Sequence, residues 1–241
     1  MNLDLEYFVI GLIIFTASFA QGFSGFGFAL ISIPLLSFLM DVKSAIALGA
    51  LCGLLINIYL LIKLKSHVNF PSIKELVFAS VLGIPIGVVI LRDSSPGIIK
   101  IILAIVIILF SLVNLTWKTE QRDISKNWGY LFGFLSGLLG GAFNTNGPPI
   151  LIYLYLQKLD KNKLKASITG FFFVSSIFIV GSHYASGVSS EEIFLKFIAF
   201  IPFVAAGQIL GAKLFGKISI QLYNRIILIS LIVTAILMNI G

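Results

Sequence analysis

The sequence predicts an all-α protein that crosses a membrane several times, and three observations lead to this fold class. The chain of 241 residues is 58% hydrophobic and only 11% charged, with a mean hydropathy of +1.06. A soluble domain carries about a quarter charged residues. Apolar runs of the ~20 residues that a helix needs to cross the hydrocarbon core recur along the chain. The two clearest are 95–117 and 221–240.

Charged and helix-breaking residues divide the chain into ten apolar segments, five on each side of the polar stretch KTEQRDISKN at 118–127. The first five are 5–22, 27–40, 44–62, 72–91 and 96–117. The second five are 128–142, 149–157, 166–184, 193–215 and 220–240. We therefore predict a first transmembrane repeat at 1–117, a cytoplasmic linker at 118–127 and a second transmembrane repeat at 128–241.

Each boundary falls at residues that a lipid-facing helix avoids. In the first set the boundaries are the glycine-rich stretch at 21–27, then Asp41, Lys63, Arg92 and Lys118. In the second set they are the stretch NTNGPP at 144–149, then Lys158, Glu191 and Lys217.

The two sets correspond to each other at an offset of 119 to 124 residues. A slow drift of the offset is what small loop insertions produce in a duplicated unit, and transporters are often built from such repeats. The matching pairs are Gly27 with Gly147, Asp41 with Asp160, Gly83 with Gly207, Gly87 with Gly211, and Ser95 with Ser219.

The distribution of basic residues orients the segments. Loops 63–75, 118–127, 158–165 and 213–225 hold thirteen of the 17 Lys and Arg residues. Basic loops stay in the cytoplasm, which predicts a multi-pass protein of the inner or plasma membrane with both termini outside. The third to fifth segments of the two repeats then run in opposite directions, so the repeats are inverted. The net charge of +7 needs no nucleic-acid partner to explain it.

The first two segments of each repeat must begin and end on the same face, either as two crossings or as a re-entrant hairpin. Segment 149–157 would be ~14 Å long, about half the membrane, which favours a hairpin in the second repeat. Segment 5–22 could nearly span the membrane, so a hairpin is less strongly favoured in the first repeat. A conventional eight-span arrangement is the main alternative.

The tip of the second hairpin, NTNGPP, would place hydrogen-bonding groups deep in the membrane. The residue before a proline avoids the helical region, so we predict that Gly147 and Pro148 are extended or turned, whereas Pro149 suits the first turn of a helix. Non-helical backbone at that depth is tolerated only if it is buried or lines a wet cavity. Free N–H groups at a helix start attract anions.

The first repeat has QGFSGFGFALISIP, residues 21–34, at the equivalent place. Its glycines permit positive φ, and Pro34 removes one helical hydrogen bond. Close helix packing is another reason for glycines, but it does not explain Asn-Thr-Asn before two prolines. The candidate substrate-binding residues are Gln21, Ser24, Gly25, Gly27, Gly141, Asn144, Thr145, Asn146, Gly147, Pro148 and Gln208.

The stretches GGAFNTNGPPILIYL, at 140–154, and QGFSGFGFALISIPLL, at 21–36, resemble the TauE/SafE sulfite-exporter family of membrane permeases. The resemblance covers essentially the whole chain. It implies transport of sulfite, sulfonates or other small sulfur-containing organic anions. It points to Gly22, Gly25, Gly27 and Pro34, and to Gly141, Asn144, Asn146, Gly147, Pro148 and Pro149.

Motifs for other classes of function are absent from the sequence. There is no HExxH, CxxC or GxSxG pattern, so we do not expect an enzyme. The single Cys52 excludes an internal disulfide and a cysteine metal cluster, and we expect no metal and no cofactor. Two alternative functions remain: a channel with a glycine-lined filter, and a carrier for another small carboxylate or inorganic anion. The expected partners are the anion and the bilayer, and nothing excludes a homo-oligomer.

The titratable residues bear on the energy source. All ten acidic residues fall in loops or at segment ends, and His67 and His183 also lie at segment ends, where we expect interfacial positions. A proton-coupled carrier usually buries such a residue in the membrane. We therefore predict export driven by the membrane potential alone, which contributes about 2.3 kcal/mol per charge per 100 mV.

Overall fold

A computed structural model describes residues 3–116, 124–157, 159–214 and 220–239 of the chain. These residues are almost entirely helical and contain no strand, which confirms the predicted all-α class. Each predicted segment corresponds to one helix. The helices are α1 Leu3–Ser24, α2 Phe28–Leu36, α3 Val42–Leu64, α4 Lys74–Asp93, α5 Pro96–Thr116, α6 Asn127–Phe143, α7 Gly147–Leu156, α8 Lys161–Ala185, α9 Glu191–Leu214 and α10 Ile220–Leu237. Two 3-10 turns, Lys65–His67 and Phe70–Ser72, join α3 to α4. Most of the predicted linker 118–127 lies outside the described residues.

Six of the described helices are long and apolar enough to cross a membrane: α1, α3, α4, α5, α8 and α9. The outer face of α5 shows the surface that this requires. Large apolar side chains recur there every three or four residues, and each is about half exposed. A helix of a soluble protein would turn such a stripe toward the core, whereas here it lies on the outer surface, as contact with lipid requires. The stripe consists of Ile98, Ile101, Ile105, Leu109 and Leu112.

Two helices are only half as long as a membrane crossing. The nine residues of α2 and the ten of α7 rise ~14–15 Å each, and each follows a longer helix after a short break. In the first half that longer helix, α1, has 22 residues and extends two residues past the expected end at Gly22. Gly22 lies within this helix and lets the α9 backbone approach closely: a Cβ atom there would be 2.6 Å from the carbonyl oxygen of Gln208.

The predicted loop 158–165 is wrong beyond residue 160, because α8 begins at Lys161. Lysine is a good helix former, and its long side chain can reach the interface from inside a helix. Asp160 caps the helix: its carboxylate accepts hydrogen bonds from the N–H groups of Asn162 and Lys163, at 3.1 and 2.9 Å. Its predicted counterpart Asp41 caps α3 in the same way.

Close helix packing also recurs in the two halves. Helix α4 packs against α6, and a Cβ atom at Gly83 or Gly87 would overlap the backbone of Phe134 or Leu138. In the pair formed by α9 and α1, Gly207 packs in this way against Phe15 and Gly211 against Phe19. Each pair joins one helix of each predicted repeat, so the halves interlock. The inverted orientation of the repeats and their boundaries stay predictions.

Candidate functional site

Two short turns break the helix pairs α1–α2 and α6–α7. In the first break Gly25 and Gly27 have φ of 89° and 105°, a left-handed backbone that glycine adopts without a Cβ penalty. In the second break Asn144 takes this conformation, with φ of 52°, which asparagine tolerates better than most residues. The predicted glycine-rich break is therefore confirmed in the first half.

The predicted turn at Gly147 and Pro148 is wrong, because both residues belong to α7. Gly147 has no Cβ to clash with the following proline ring, so it can start a helix where another residue would not. Pro148 and Pro149 then occupy the first turn, where a missing N–H breaks no helical hydrogen bond. The chain turns earlier, at residues 144–146.

Residues of both breaks line one central cavity between α3 and α8. It encloses about 420 Å³ outside protein atoms, part of it continuous with the exterior. Its wall comprises Gln21, residues 26–30, Gly53, Asn57, residues 144–147, Phe172 and Ser176. None of these residues is charged. Gly53 and Phe172 lie about halfway along their helices, so the cavity faces the middle turns of two long helices.

A chain of hydrogen bonds fixes one side of this cavity. The N–H of Phe28, at the start of α2, donates to Gln21 Oε1 at 3.2 Å, and Gln21 Nε2 donates to Asn57 Oδ1 at 2.8 Å. Asn57 Nδ2 donates to Ser176 Oγ at 2.7 Å, and that hydroxyl donates to the carbonyl of Phe172 at 2.6 Å. Each side-chain amide has two N–H hydrogens, so Gln21 and Asn57 each keep one.

The other side of the cavity offers groups without a hydrogen bond among the described residues. Thr145 Oγ1 is buried and has no partner there. The amide of Asn144 faces Gly49 and Gly53 of α3. The backbone carbonyl of Asn146 accepts a hydrogen bond from Ser136, which holds the break in place. On the first side of the cavity many donors are already used in hydrogen bonds within the protein. The side chains of the second break add donors that are not used in this way.

The helix N-termini contribute fewer donors than the sequence suggested. Pro148 and Pro149 have no N–H, so Gly147 supplies the one donor in the first three residues of α7. At the start of α2 the N–H of Phe28 is engaged by Gln21. The donors at the cavity are therefore side-chain amides and a hydroxyl, together with the first-turn N–H groups of Gly147, Ala29 and Leu30.

Six of the eleven predicted residues line the central cavity: Gln21, Gly27, Asn144, Thr145, Asn146 and Gly147. The other five lie elsewhere. Ser24 donates to the carbonyl of Ala20 at the end of α1, and Gly25 packs against the side chain of Lys165. Gly141 packs against the backbone of Ile84. Pro148 is buried within α7.

Gln208 is buried, and neither atom of its amide has a hydrogen bond among the described residues. It packs against Gly22 between α1 and α9 and does not line the cavity. The glycine beside it, Gly207, serves the contact of α9 with α1. The room that this glycine leaves is filled by backbone.

The cavity also contains Asn57 and Ser176, which were not predicted as site residues. They are 119 positions apart, the offset that relates Asp41 to Asp160, and so are Gly53 and Phe172. In the predicted repeats these residues occupy equivalent positions, and in the structure they meet at one cavity. The offset, applied to the few polar residues of α3, would have identified this pair from the sequence.

A neutral cavity at two helix breaks, inside a set of helices long and apolar enough to cross a membrane, is an arrangement typical of membrane transporters. The chain matches the family described as sulfite exporter TauE/SafE over residues 10–238, and it belongs to that family. The resemblance seen in the two break sequences is thereby confirmed. No curated protein and no solved structure matches the chain.

Proposed function

We propose that the protein is a permease that exports a small oxyanion, sulfite or a small organic sulfonate, through the central cavity. The observation that carries this proposal is the convergence of both helix breaks on one cavity whose wall is polar but uncharged. A hydroxyl acts as a nucleophile in an enzyme only with a base beside it, and the wall pairs the hydroxyls of Thr145 and Ser176 with no titratable residue.

Neutral donors suit a transported anion. A hydrogen bond to a charged group contributes about 1.5–3 kcal/mol, so two or three of them hold an oxyanion without trapping it. The acceptor oxygens of Gln21 and Asn57 are engaged by the hydrogen-bond chain, which reduces repulsion of a negative solute. What remains available is mostly N–H and O–H.

The proposed direction follows from the predicted topology. The protein crosses the plasma membrane or its bacterial equivalent. Its basic loops lie in the cytoplasm, and both termini lie outside. An interior that is negative drives an anion outward. The same basic loops raise the local concentration of anions at the cytoplasmic face.

Tracer flux into proteoliposomes tests the proposal. The panel is sulfite, thiosulfate, sulfoacetate and simple carboxylates of similar size. We expect saturable uptake of at least one sulfur oxyanion and counterflow when unlabelled anion is placed on the opposite side. A high unitary current without counterflow would identify a channel. Absence of flux for every anion in the panel would refute the proposal.

A further inference from the structure

A second cavity adjoins the central one on the side of α5 and α10. It encloses about 440 Å³ outside protein atoms, including space open to the exterior. The two cavities share the residues Phe26, Gly27 and Leu30. A single layer of residues, in the first break and the first turn of α2, therefore separates them.

The second cavity lies toward one end of the helices that surround it. Asn114 is near the end of α5, Tyr155 is near the end of α7, and Ile227 is in the first half of α10. Each is within a few residues of a loop predicted to be cytoplasmic, at 118–127, 158–165 or 213–225. The cavity is thus on the predicted cytoplasmic side of the central cavity.

The ring of Phe26, which lies between the two cavities, has room to move. Phe26 stands between two glycines with positive φ, Gly25 and Gly27. Its ring packs edge-on against Phe110, with the ring centroids 6.2 Å apart. No heavy atom lies within 4 Å of the position that a Cβ of Gly27 would take. The Ser24 hydroxyl holds the backbone N–H and carbonyl of Phe26, so the open space beside Gly27 leaves the ring free to swing by rotation of the side chain.

The mostly apolar wall of the second cavity holds three polar side chains: Ser24, Asn114 and Tyr155. The Ser24 hydroxyl is engaged by the backbone carbonyls of Ala20 and Phe26, so Tyr155 and Asn114 supply the available donors. The hydroxyl of Tyr155 makes no hydrogen bond among the described residues. Asn114 uses one hydrogen of its amide on the carbonyl of Phe110, at 2.9 Å, and keeps the other. A phenol and an amide can both donate to an oxyanion.

We propose that this second cavity is the cytoplasmic vestibule of the permease. A small oxyanion binds there to Tyr155 and Asn114, and it enters the central cavity when Phe26 moves aside. The inference deepens the proposed function and rests on it, since it assigns the station that precedes the central cavity and the residue that separates the two.

A matched pair of tyrosine variants tests the vestibule. Tyr155→Phe removes one hydroxyl from the vestibule, whereas Tyr153→Phe removes one from the same helix at a residue that lines neither cavity. For flux measured from the cytoplasmic side, we expect Tyr155→Phe to raise KM about tenfold, the loss of one hydrogen bond to a charged solute. Tyr153→Phe should leave KM unchanged. Equal KM values in the two variants would overturn the assignment of Tyr155.

Thiol labelling tests the partition independently of substrate affinity. Cys52, the single cysteine, is buried, so Cys52→Ala gives a cysteine-free background. Ala29→Cys then places a thiol in the wall of the central cavity. In inside-out vesicles, a membrane-impermeant maleimide should label this thiol at least about tenfold faster when Phe26 is replaced by Ala. Phe26→Leu, a smaller change, serves if the Ala variant does not fold.

The outcomes separate the two proposals. If the wild type moves no anion, the proposed function fails. If the wild type transports and depends on Asn144, but Tyr155→Phe and both Phe26 variants behave as the wild type, only the vestibule fails. Faster labelling from the opposite face of the membrane would place the second cavity outside and overturn its cytoplasmic assignment.

Discussion

Asn144 combines two roles that a single substitution can separate. Its backbone holds a left-handed turn, with φ of 52°, and its side chain faces the cavity. We expect Asn144→Gly to keep the turn and remove the amide, so flux should fall at least about tenfold, the loss of one hydrogen bond to an anion. The thermal midpoint should stay close to that of the wild type. Asn144→Leu adds backbone strain of roughly 1–2 kcal/mol, so it should abolish flux and also lower the midpoint.

A control for this comparison is Asn162→Ala. Asn162 is exposed near the start of α8 and does not line the central cavity. Normal flux in Asn144→Gly, measured with a correctly folded protein, would show that the amide has no part in binding. The turn would then be the only role of the residue.

At the scale of the helix, the two aspartate caps should contribute to the stability of the protein. Asp41 and Asp160 each accept two backbone N–H bonds at a helix start, and loss of such a cap costs about 1 kcal/mol. Asp41→Ala and Asp160→Ala should each lower stability by that amount, while the Asn variants should largely preserve it. Asp93→Ala removes an exposed ion pair with Arg92 and should have little effect. Denaturant or thermal unfolding in detergent measures all of these changes.

The cap at Asp160 also has a pH dependence. Hydrogen bonding from the backbone N–H of Lys163 lowers the pKa of the Asp160 carboxyl. A group whose pKa is lowered by folding stabilises the protein fully above its unfolded pKa, about 3.9 for Asp, and that stabilisation is lost as the pH falls through the folded pKa. The stability difference between the wild type and Asp160→Asn should therefore change only in acid. A difference that changes between pH 6 and 8 would contradict this account.

The close packing of α4 against α6 through glycine can also be tested by its effect on stability. Gly87→Ala would place a methyl group on the backbone of Leu138, whereas Gly181 in α8 has open space around it. Overpacking costs about 1–3 kcal/mol, and an exposed helical Gly→Ala gains up to about 1 kcal/mol. We expect opposite signs for the two variants in thermal unfolding. A stabilised Gly87→Ala would show that α4 and α6 pack less closely than described.

At the scale of the whole molecule, apolar runs and their breakers predict the helices because the bilayer imposes one length and one polarity on each of them. The glycine and Asn-Pro clusters likewise locate the breaks. Long-range packing is what local sequence does not contain. Gln208 turns toward α1, and Asn57 meets Ser176, because of contacts between segments that are distant in the chain.

The environment of His183 is also set by packing between distant segments, and it bears on the energy source of transport. His183 lies in the last turn of α8, at a segment end as predicted. Its side chain is fully buried in the protein, and its Nε2 lies 2.9 Å from the carbonyl oxygen of Gly141. A helix end leaves carbonyls without partners inside the helix, and the imidazole satisfies one of them near the end of α6. The described membrane segments thus contain a buried titratable group, which the sequence did not reveal.

We nevertheless predict transport that is driven by potential alone, because the central cavity is uncharged and His183 does not line it. In proteoliposomes with an imposed potential of 100 mV, one net charge is worth about 2.3 kcal/mol. A monovalent sulfonate should then accumulate on the positive side about 50-fold at equilibrium. His183→Gln keeps an N–H donor for Gly141 and should reach the same gradient. A pH-sensitive dye in the lumen should record no proton movement that follows the flux. If acidification tracks the flux in the wild type and disappears in His183→Gln, then His183 carries the proton and the transport is coupled.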